Sequence, residues 1–342
     1  ATQKLYQLAR ERDAAVRRPW CLTVSFTHPH DPYVARRRHW DLYEDCPALE
    51  PEVAFISRDR QDPHSQRLYD ASDYASFDIT PEHVRRARRG YFASISYIDE
   101  KLGELLDVLE RTRMAEDTIV VFCSDHGDML GERGLWFKMS FFEGSARVPL
   151  LIAGPGIAPG RIDTAVSLLD LCPTLCDLAG IDLTAIMPWT DGETLLPLSA
   201  GEARTSPVLM EYAAEGSQAP MVAIRDGRFK LIHCDIDPPQ LFDLGSDPLE
   251  LNNLAGDPAH ADVLADLQSK VQARWDMARF GHWADKAFTR ARVQDQYSHR
   301  FKIHFPNEER AAGRPVRTRP VYDKQKSIGA VFGLNFGWEH PL

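Results

Sequence analysis

At 342 residues, 44% of them hydrophobic, the chain is long enough to bury one large core or two smaller ones. Its formal net charge of −10 excludes a general nucleic-acid binder, whose phosphate affinity comes from clustered Lys and Arg, and suits a site that holds a cation. No apolar run of about 18 residues is there to span a bilayer, so no membrane partner is expected.

Residues Ala1 to Arg18 are too charged for a secretory signal. The six cysteines (Cys21, Cys46, Cys123, Cys172, Cys176 and Cys234) show no disulfide-like spacing. A reducing, cytoplasmic setting follows as the expectation. The run Trp20 to Phe26 reads as a buried strand that empties into the polar loop Thr27-His-Pro-His-Asp-Pro-Tyr33. Residues 35–79, rich in Arg, Asp and Pro, read as a surface excursion without chemistry. Thr80 followed by Pro81 starts a helix whose apolar face, from Val84 through Ile98 to Leu109, predicts an end near Arg113.

Thr118 to Cys123 is continuously apolar, as a strand inside a sheet would be, and it runs directly into Ser124-Asp-His-Gly-Asp128. Val148 to Ala153 predicts another strand, and Pro173 to Ala179 a helix capped by Gly180. Strand alternating with helix implies an α/β fold with a largely parallel central sheet flanked by helices. From Ser206 short strands follow (Pro207 to Tyr212, Met221 to Arg225, Phe229 to Cys234) with an Asp226-Gly227 hairpin turn, then an amphipathic helix from about Pro258 to Phe280. The expected organisation is an α/β catalytic unit over 1–205, a smaller antiparallel sheet-plus-helix region over 206–285, and an irregular tail over 286–342.

The chemistry concentrates at Asp125-His126, where a carboxylate and an imidazole leave a strand's C-terminal end side by side, the edge at which open α/β sheets gather ligands. Both groups are ligands for a divalent ion, and two of them do not select the metal. Alone, the same pair reads more simply as a helix-capping Asp125 beside a satisfied loop histidine. Lys138, in Gly131-Glu-Arg-Gly-Leu-Trp-Phe-Lys-Met-Ser140, is either a cation for an anionic ester or a solvated surface charge. His28 and His30 lie in another strand-end loop, and either has the titration range to protonate a leaving oxygen. If parallel strands deliver these loops to one edge, Asp125 and His126 face the same cavity as His30 and Lys138.

The segment from Ser124 to Glu143, continuing into Arg147-Val-Pro-Leu150, resembles the metal and lysine segment of the sulfatases of the alkaline-phosphatase superfamily, and among them the choline sulfatases. The similarity extends through His28-Pro-His30, Asp170-Leu-Cys-Pro-Thr-Leu175 and Leu241 to Leu254, covering roughly Pro19 to Trp275. The resemblance implies that Asp125 and His126 are metal ligands, that Lys138 contacts the sulfate, and that His30 is the histidine beside the leaving-group oxygen. It also implies that Glu215 is a carboxylate directed at a quaternary ammonium. Ca2+ is the metal it favours, with Mn2+ as the alternative. Its reaction is hydrolysis of a small-molecule sulfate ester to an alcohol and sulfate; a homo-oligomer is left open as a partner.

The sequence departs from the family pattern in two places. It contains neither an Asp-Asp dipeptide nor a cysteine followed by Pro or Ala and Arg at the spacing of the formylglycine nucleophile, and its tail lacks the ending typical of choline sulfatases. The chain is therefore expected to be the C-terminal part of the fold, with formylglycine supplied by an N-terminal segment and no turnover by this chain alone. Two other readings compete: a phosphonate monoester or phosphodiester hydrolase of the same superfamily, and a non-catalytic truncated homologue that serves as a binding or assembly partner.

Overall fold

The computed structural model describes residues 1–14, 18–274, 287, 290–291, 322–327, 332–335 and 338–341. Helix α1 (Thr2–Asp13) buries Leu5 and Ala9 against Val108, Leu109 and Met114. Arg12 closes the joint by donating to the carbonyls of Thr112 at 2.7 Å and Arg113 at 3.1 Å. The charged N-terminal segment is thus an amphipathic helix docked on the body of the protein.

Trp20 to Phe26 keeps the two-residue period of a strand, with Leu22, Val24 and Phe26 half-buried and Thr23 and Ser25 exposed, yet it joins no ladder among the described residues. The excursion over 35–79 is more ordered than its composition suggests, holding α2 (Arg37–Trp40) and α3 (Pro63–Ala71). Asp62 caps α3 by accepting from the amides of His64 and Ser65. Helix α4 (Pro81–Arg111) starts where the Thr80-Pro81 signal places it. Thr80 Oγ1 accepts from the His83 amide and His83 Nδ1 accepts from the Thr80 amide, both at 3.3 Å, a reciprocal cap. Its 31 residues span about 46 Å and form the spine of the N-terminal half.

β1 (Val120–Cys123) and β2 (Leu150–Ala153) pair antiparallel, from Val120 opposite Ala153 to Cys123 opposite Leu150. This corrects the expected parallel sheet: every pair of strands among the described residues is antiparallel. The physical reason lies in the connection, because an irregular loop and the single turn α5 (Glu143–Ala146) link β1 to β2 where a parallel pair needs a helical crossover. α6 (Leu171–Leu178), α7 (Leu183–Ile186) and α8 (Leu196–Ser199) follow, organised around Asp170. That carboxylate is fully buried, pairs with Arg204 at 2.5 Å, and accepts from the amides of Ser167 and Glu193.

β3 (Val208–Tyr212), β4 (Met221–Asp226), β5 (Phe229–Cys234) and β6 (Asp237–Asp243) form a sheet in sequential order, with β4 and β5 joined by a two-residue turn at Gly227-Arg228. One face carries Met221, Ala223, Ile232 and Phe242 against Met129, Leu135, Phe141 and Phe142 of the loop after β1. The other carries Val222, Ile224, Leu231 and Leu241 against Leu267 and Val271 of α9 (Ala261–Arg274). Cover on both faces explains why the central strands read as unbroken apolar runs. A turn at Pro258–His260 leads into α9, and the expected continuation from Trp275 to Phe280 lies outside the described residues. In the tail, expected to be irregular, the described residues include a helix at Tyr322–Ser327 and an antiparallel pairing of Phe332–Asn335 with Trp338–Pro341.

Candidate active site

The loop that leaves β1 carries both chemical elements of the motif. Asp125 Oδ1 accepts from the His126 amide at 3.0 Å, while the rest of its side chain is open to solvent. His126 Nδ1 lies 2.8 Å from the Gly127 carbonyl. A carbonyl only accepts, so Nδ1 carries the proton and the Nε2 lone pair is free to ligate. That Nε2 stands 3.6 Å from Asp125 Oδ2, which brings two donor atoms together at the separation of neighbouring ligands on one ion. The pair therefore fits a divalent cation as part of a ligand set. No group of three or more His, Cys, Asp and Glu suited to a metal forms among the described residues.

Close backbone packing holds this loop. A Cβ on Gly127 would sit 2.2 Å from the Gly144 carbonyl oxygen, so only glycine fits there. The Gly127 amide donates to the Ser145 carbonyl at 2.8 Å, and Ser145 Oγ donates to the Lys138 carbonyl at 2.7 Å. α5 thus spans the two arms of the loop. Between them the chain turns through positive φ at Leu130, Gly131, Arg133, Gly134 and Phe137. Arg133 anchors the bend by donating to the carbonyls of Leu249 and Glu250 and stacking 4.2 Å over the Phe142 ring.

The second limb is Thr27 to Tyr33. His30 Nδ1 lies 2.8 Å from the Asp31 carbonyl, leaving Nε2 to accept from the Lys138 ammonium at 3.2 Å across 108 residues of sequence. His28 turns away, its ring 5.0 Å from that of Tyr97 on α4. Of the two histidines, His30 is therefore the one beside the lysine. Tyr33 Oη donates to Asp128 Oδ2 at 2.7 Å. Burial pushes the Asp128 carboxyl above its usual range, and burial together with the Asp128 charge pushes the Tyr33 hydroxyl up.

Glu215 stands apart, in the loop between β3 and β4. Tyr212 Oη donates to its carbonyl at 2.9 Å and reaches Oε2 at 3.5 Å, while Arg67 Nε donates to the Gly216 carbonyl at 2.5 Å. This limb meets the lysine limb through His64, whose Nε2 donates to the Met139 carbonyl at 2.6 Å and whose ring meets Tyr212 edge-on at 5.6 Å. Burial lowers the affinity of His64 for a proton, so it is neutral. His64 arises from the excursion that composition marked as chemically empty. Asp128 was visible in the motif but silent about its partners, which lie nine and 95 residues away.

A family model described as Sulfatase matches residues 1–181. The chain belongs to the sulfatase family. A second model, N-sulphoglucosamine sulphohydrolase, C-terminal, matches residues 131–276, and one for an FAD dependent oxidoreductase central domain matches 273–318, a stretch mostly outside the described residues. The chain is 65% identical over 283 residues to the choline-sulfatase of Rhizobium meliloti (strain 1021), covering 82% of this chain and 55% of that protein. It is 29% identical over 326 residues to the multifunctional alkaline phosphatase superfamily protein PehA of Trinickia caryophylli, 86% of this chain and 61% of that one. This sulfatase chain thus spans little more than half the length of these two relatives. The phosphonate monoester hydrolase SpPMH from Silicibacter pomeroyi superposes with a TM-score of 0.67 at 28% identity, covering 79% of this chain and 58% of that one. The α/β sulfatase fold is shown by such neighbours. No helix among the described residues is long and apolar enough to cross a membrane.

Proposed function

We propose that this chain supplies the metal-pair, lysine and histidine limbs of a sulfuric ester hydrolase acting on choline sulfate. The observation that carries the reading is the 3.2 Å contact between Lys138 Nζ and His30 Nε2, made by two loops that sequence separates widely. It sets an ammonium beside an imidazole, the pair a sulfate ester needs where charge grows on the departing oxygen. Lys138 binds sulfate oxygens. His30, its Nδ1 proton held by the Asp31 carbonyl, presents Nε2 toward the leaving alcohol and delivers a proton there when protonated.

Asp125 and His126 would hold the divalent ion through Oδ2 and Nε2, with Ca2+ favoured over Mn2+ by family resemblance. When bound, that ion supplies Lewis-acid neutralisation of sulfate charge. The nucleophile is not among the residues assigned here, and the family's formylglycine is proposed to come from another segment of the fold. Glu215, braced by Tyr212, pairs with the quaternary ammonium of choline. The high identity to a choline-sulfatase supports that substrate class. The similarity to a phosphonate monoester hydrolase favours a second reading, in which the same limbs grip a phosphonate monoester.

Calorimetric titration of the full chain with choline sulfate, a neutral aryl sulfate and a phenylphosphonate monoester, each with Ca2+ present, separates the two. The sulfatase reading expects choline sulfate to bind best, Lys138→Ala to abolish that binding, and Glu215→Gln to weaken choline sulfate about tenfold, equivalent to ~1.4 kcal/mol, with little effect on the aryl sulfate. Equal weakening of both sulfates removes Glu215 from the site. Preference for the phosphonate ester replaces the sulfatase reading with the second.

A further inference from the structure

We infer that Asp128 is a positioning residue that ties the metal-pair, lysine and histidine limbs into one site, using Tyr33 as its post. The inference rests on reading those limbs as a single site. One carboxylate takes three hydrogen bonds: Oδ1 accepts from the amides of Leu130 and Phe137, both at 2.9 Å, and Oδ2 accepts from Tyr33 Oη at 2.7 Å. Two of the three bonds leave the local turn for other parts of the constellation. Phe137 immediately precedes Lys138, Tyr33 lies three residues beyond His30, and Asp128 is two residues beyond His126.

A turn-forming aspartate would need only the local bond to Leu130. The bond to Phe137 reinforces arms already tied by the Met129 amide on the Phe137 carbonyl at 2.8 Å and by Ser145, whereas the bond to Tyr33 does something else, since it joins the limb of His30 to the loop after β1. Tyr33 is a firm post. The Gly90 position of α4 approaches so near that a Cβ there would lie 2.4 Å from the Tyr33 carbonyl oxygen, and the Tyr33 ring packs edge-on against Tyr91 at 5.9 Å. The Asp128 carboxylate hooks the loop after β1 onto that post. The contact between His30 and Lys138 is then a consequence of the hook, because neither residue is held to the other's limb by any other side-chain bond among those described.

The test uses the full chain with 15N-labelled histidine imidazoles, each signal assigned by single His→Gln substitution. In Tyr33→Phe the His30 signal is expected to lose its contact-shifted position and move to that of a free loop imidazole, while His64, bonded to the Met139 carbonyl in the interior, keeps its signal and reports an intact fold. Asp128→Asn keeps its carbonyl oxygen for the two amides and turns an amide NH2 toward Tyr33, a donor where the hydroxyl had an acceptor; because that group can still donate to Tyr33 Oη, His30 is expected to move in the same direction by a smaller amount. Asp128→Ala is expected to move His30 and His126 and to speed acylation of Lys138 by an amine-reactive probe. An unchanged His30 signal in Tyr33→Phe overturns the inference, as does a shift of His30 and His64 together, which marks a merely structural role. If Asp128→Ala fails to fold, Tyr33→Phe alone decides. Paramagnetic broadening by Mn2+ in the parent chain reads the metal pair separately: absence of broadening at His126 removes the metal assignment and leaves the His30 comparison to judge the hook.

Discussion

β4 with β5 and β1 with β2 are antiparallel pairs of similar apolar texture, yet their burial differs. Val222, Ala223, Ile224 and Leu231 are wholly buried, whereas on β2 Leu151 is 59% exposed and Cys123 on β1 is exposed too. The difference lies in what covers them. The C-terminal pair is sandwiched between α9 and the site loop, while the N-terminal pair has no second sheet neighbour among the described residues. Apolar strands thus mark where burial can occur, and stability accumulates only where partners exist on both faces. The candidate site sits where the two regimes meet, its loop packed on the sheet by Phe141 and Phe142 but shaped by polar bonds.

The largest effect is expected at the polar bolt between these regimes. Lys230 on β5 is fully buried, donating to the Phe141 carbonyl at 2.7 Å and pairing with Glu143 at 2.8 Å and Glu250 at 2.5 Å. Burial pushes the Glu250 carboxyl up and the Lys230 charge opposes that shift. Lys230→Ala would strand the Glu250 carboxylate in the interior, while Glu143 keeps Arg225 at 3.2 Å, and should cost about 3–5 kcal/mol, measured as a lowered urea midpoint. A loss no larger than that of an exposed lysine would show that the bolt is not what joins the site loop to the sheet.

Next comes apolar cover. Leu231 faces α9 and is fully buried, so Leu231→Ala should cost about 2–5 kcal/mol by the same measurement. A much smaller cost would mean that α9 collapses into the cavity and that the contrast with β2 is weaker than the burial suggests.

Much of this contrast was legible in the sequence. The start of α4 follows from a Thr-Pro cap signal, and the β4–β5 hairpin forms where the Asp226-Gly227 signal marks it, with the turn itself one residue on at Gly227-Arg228. β6 was not recognised as a strand, because Pro238 and Pro239 mask an edge position where proline is tolerated. The expected strand from Trp20 to Phe26 kept its alternation but found no partner among the described residues, since a ladder needs a neighbour that period alone does not supply. In the site, Asp125-His126 and Lys138 stood out through their long motif. His64 and Tyr33 did not, because their meaning lies in the bonds to Met139 and Asp128, 75 and 95 residues away.

The third effect appears as a slope against pH. His64 is buried and neutral, with Asp62, Arg67 and Asp237 as the nearby charges, and burial holds its proton affinity below the ordinary imidazole value of 6.5. As pH falls below that value, the unfolded chain gains a proton that the folded chain refuses, so the unfolded state binds more protons and stability declines. Above about pH 7 both states are neutral and the full stability is present. Glutamine in its place retains a donor for the Met139 carbonyl and does not titrate. The difference in unfolding free energy between the parent chain and His64→Gln should therefore shrink or reverse between about pH 7 and pH 5. A constant difference would show that His64 becomes protonated in the folded protein and that the link between the lysine and Glu215 limbs is not dry.

The smallest effect is expected at Leu151. Its side chain projects from the face of β2 that nothing described covers, opposite Phe122 on β1. Replacing it with alanine removes surface that is largely wet in the folded state, so the transfer term is small and only a slight loss of strand propensity remains. Leu151→Ala should shift the unfolding free energy by no more than about 0.5 kcal/mol. The contrast with Leu231 is the sharpest form of the comparison, because the chemical change is identical and only the cover differs. A cost near that of Leu231→Ala would mean that the β1–β2 face is buried in solution, and its dependence on protein concentration then identifies the cover. A penalty that grows with concentration points to a second copy of the chain through mass action, and one that does not points to cover from within the same chain.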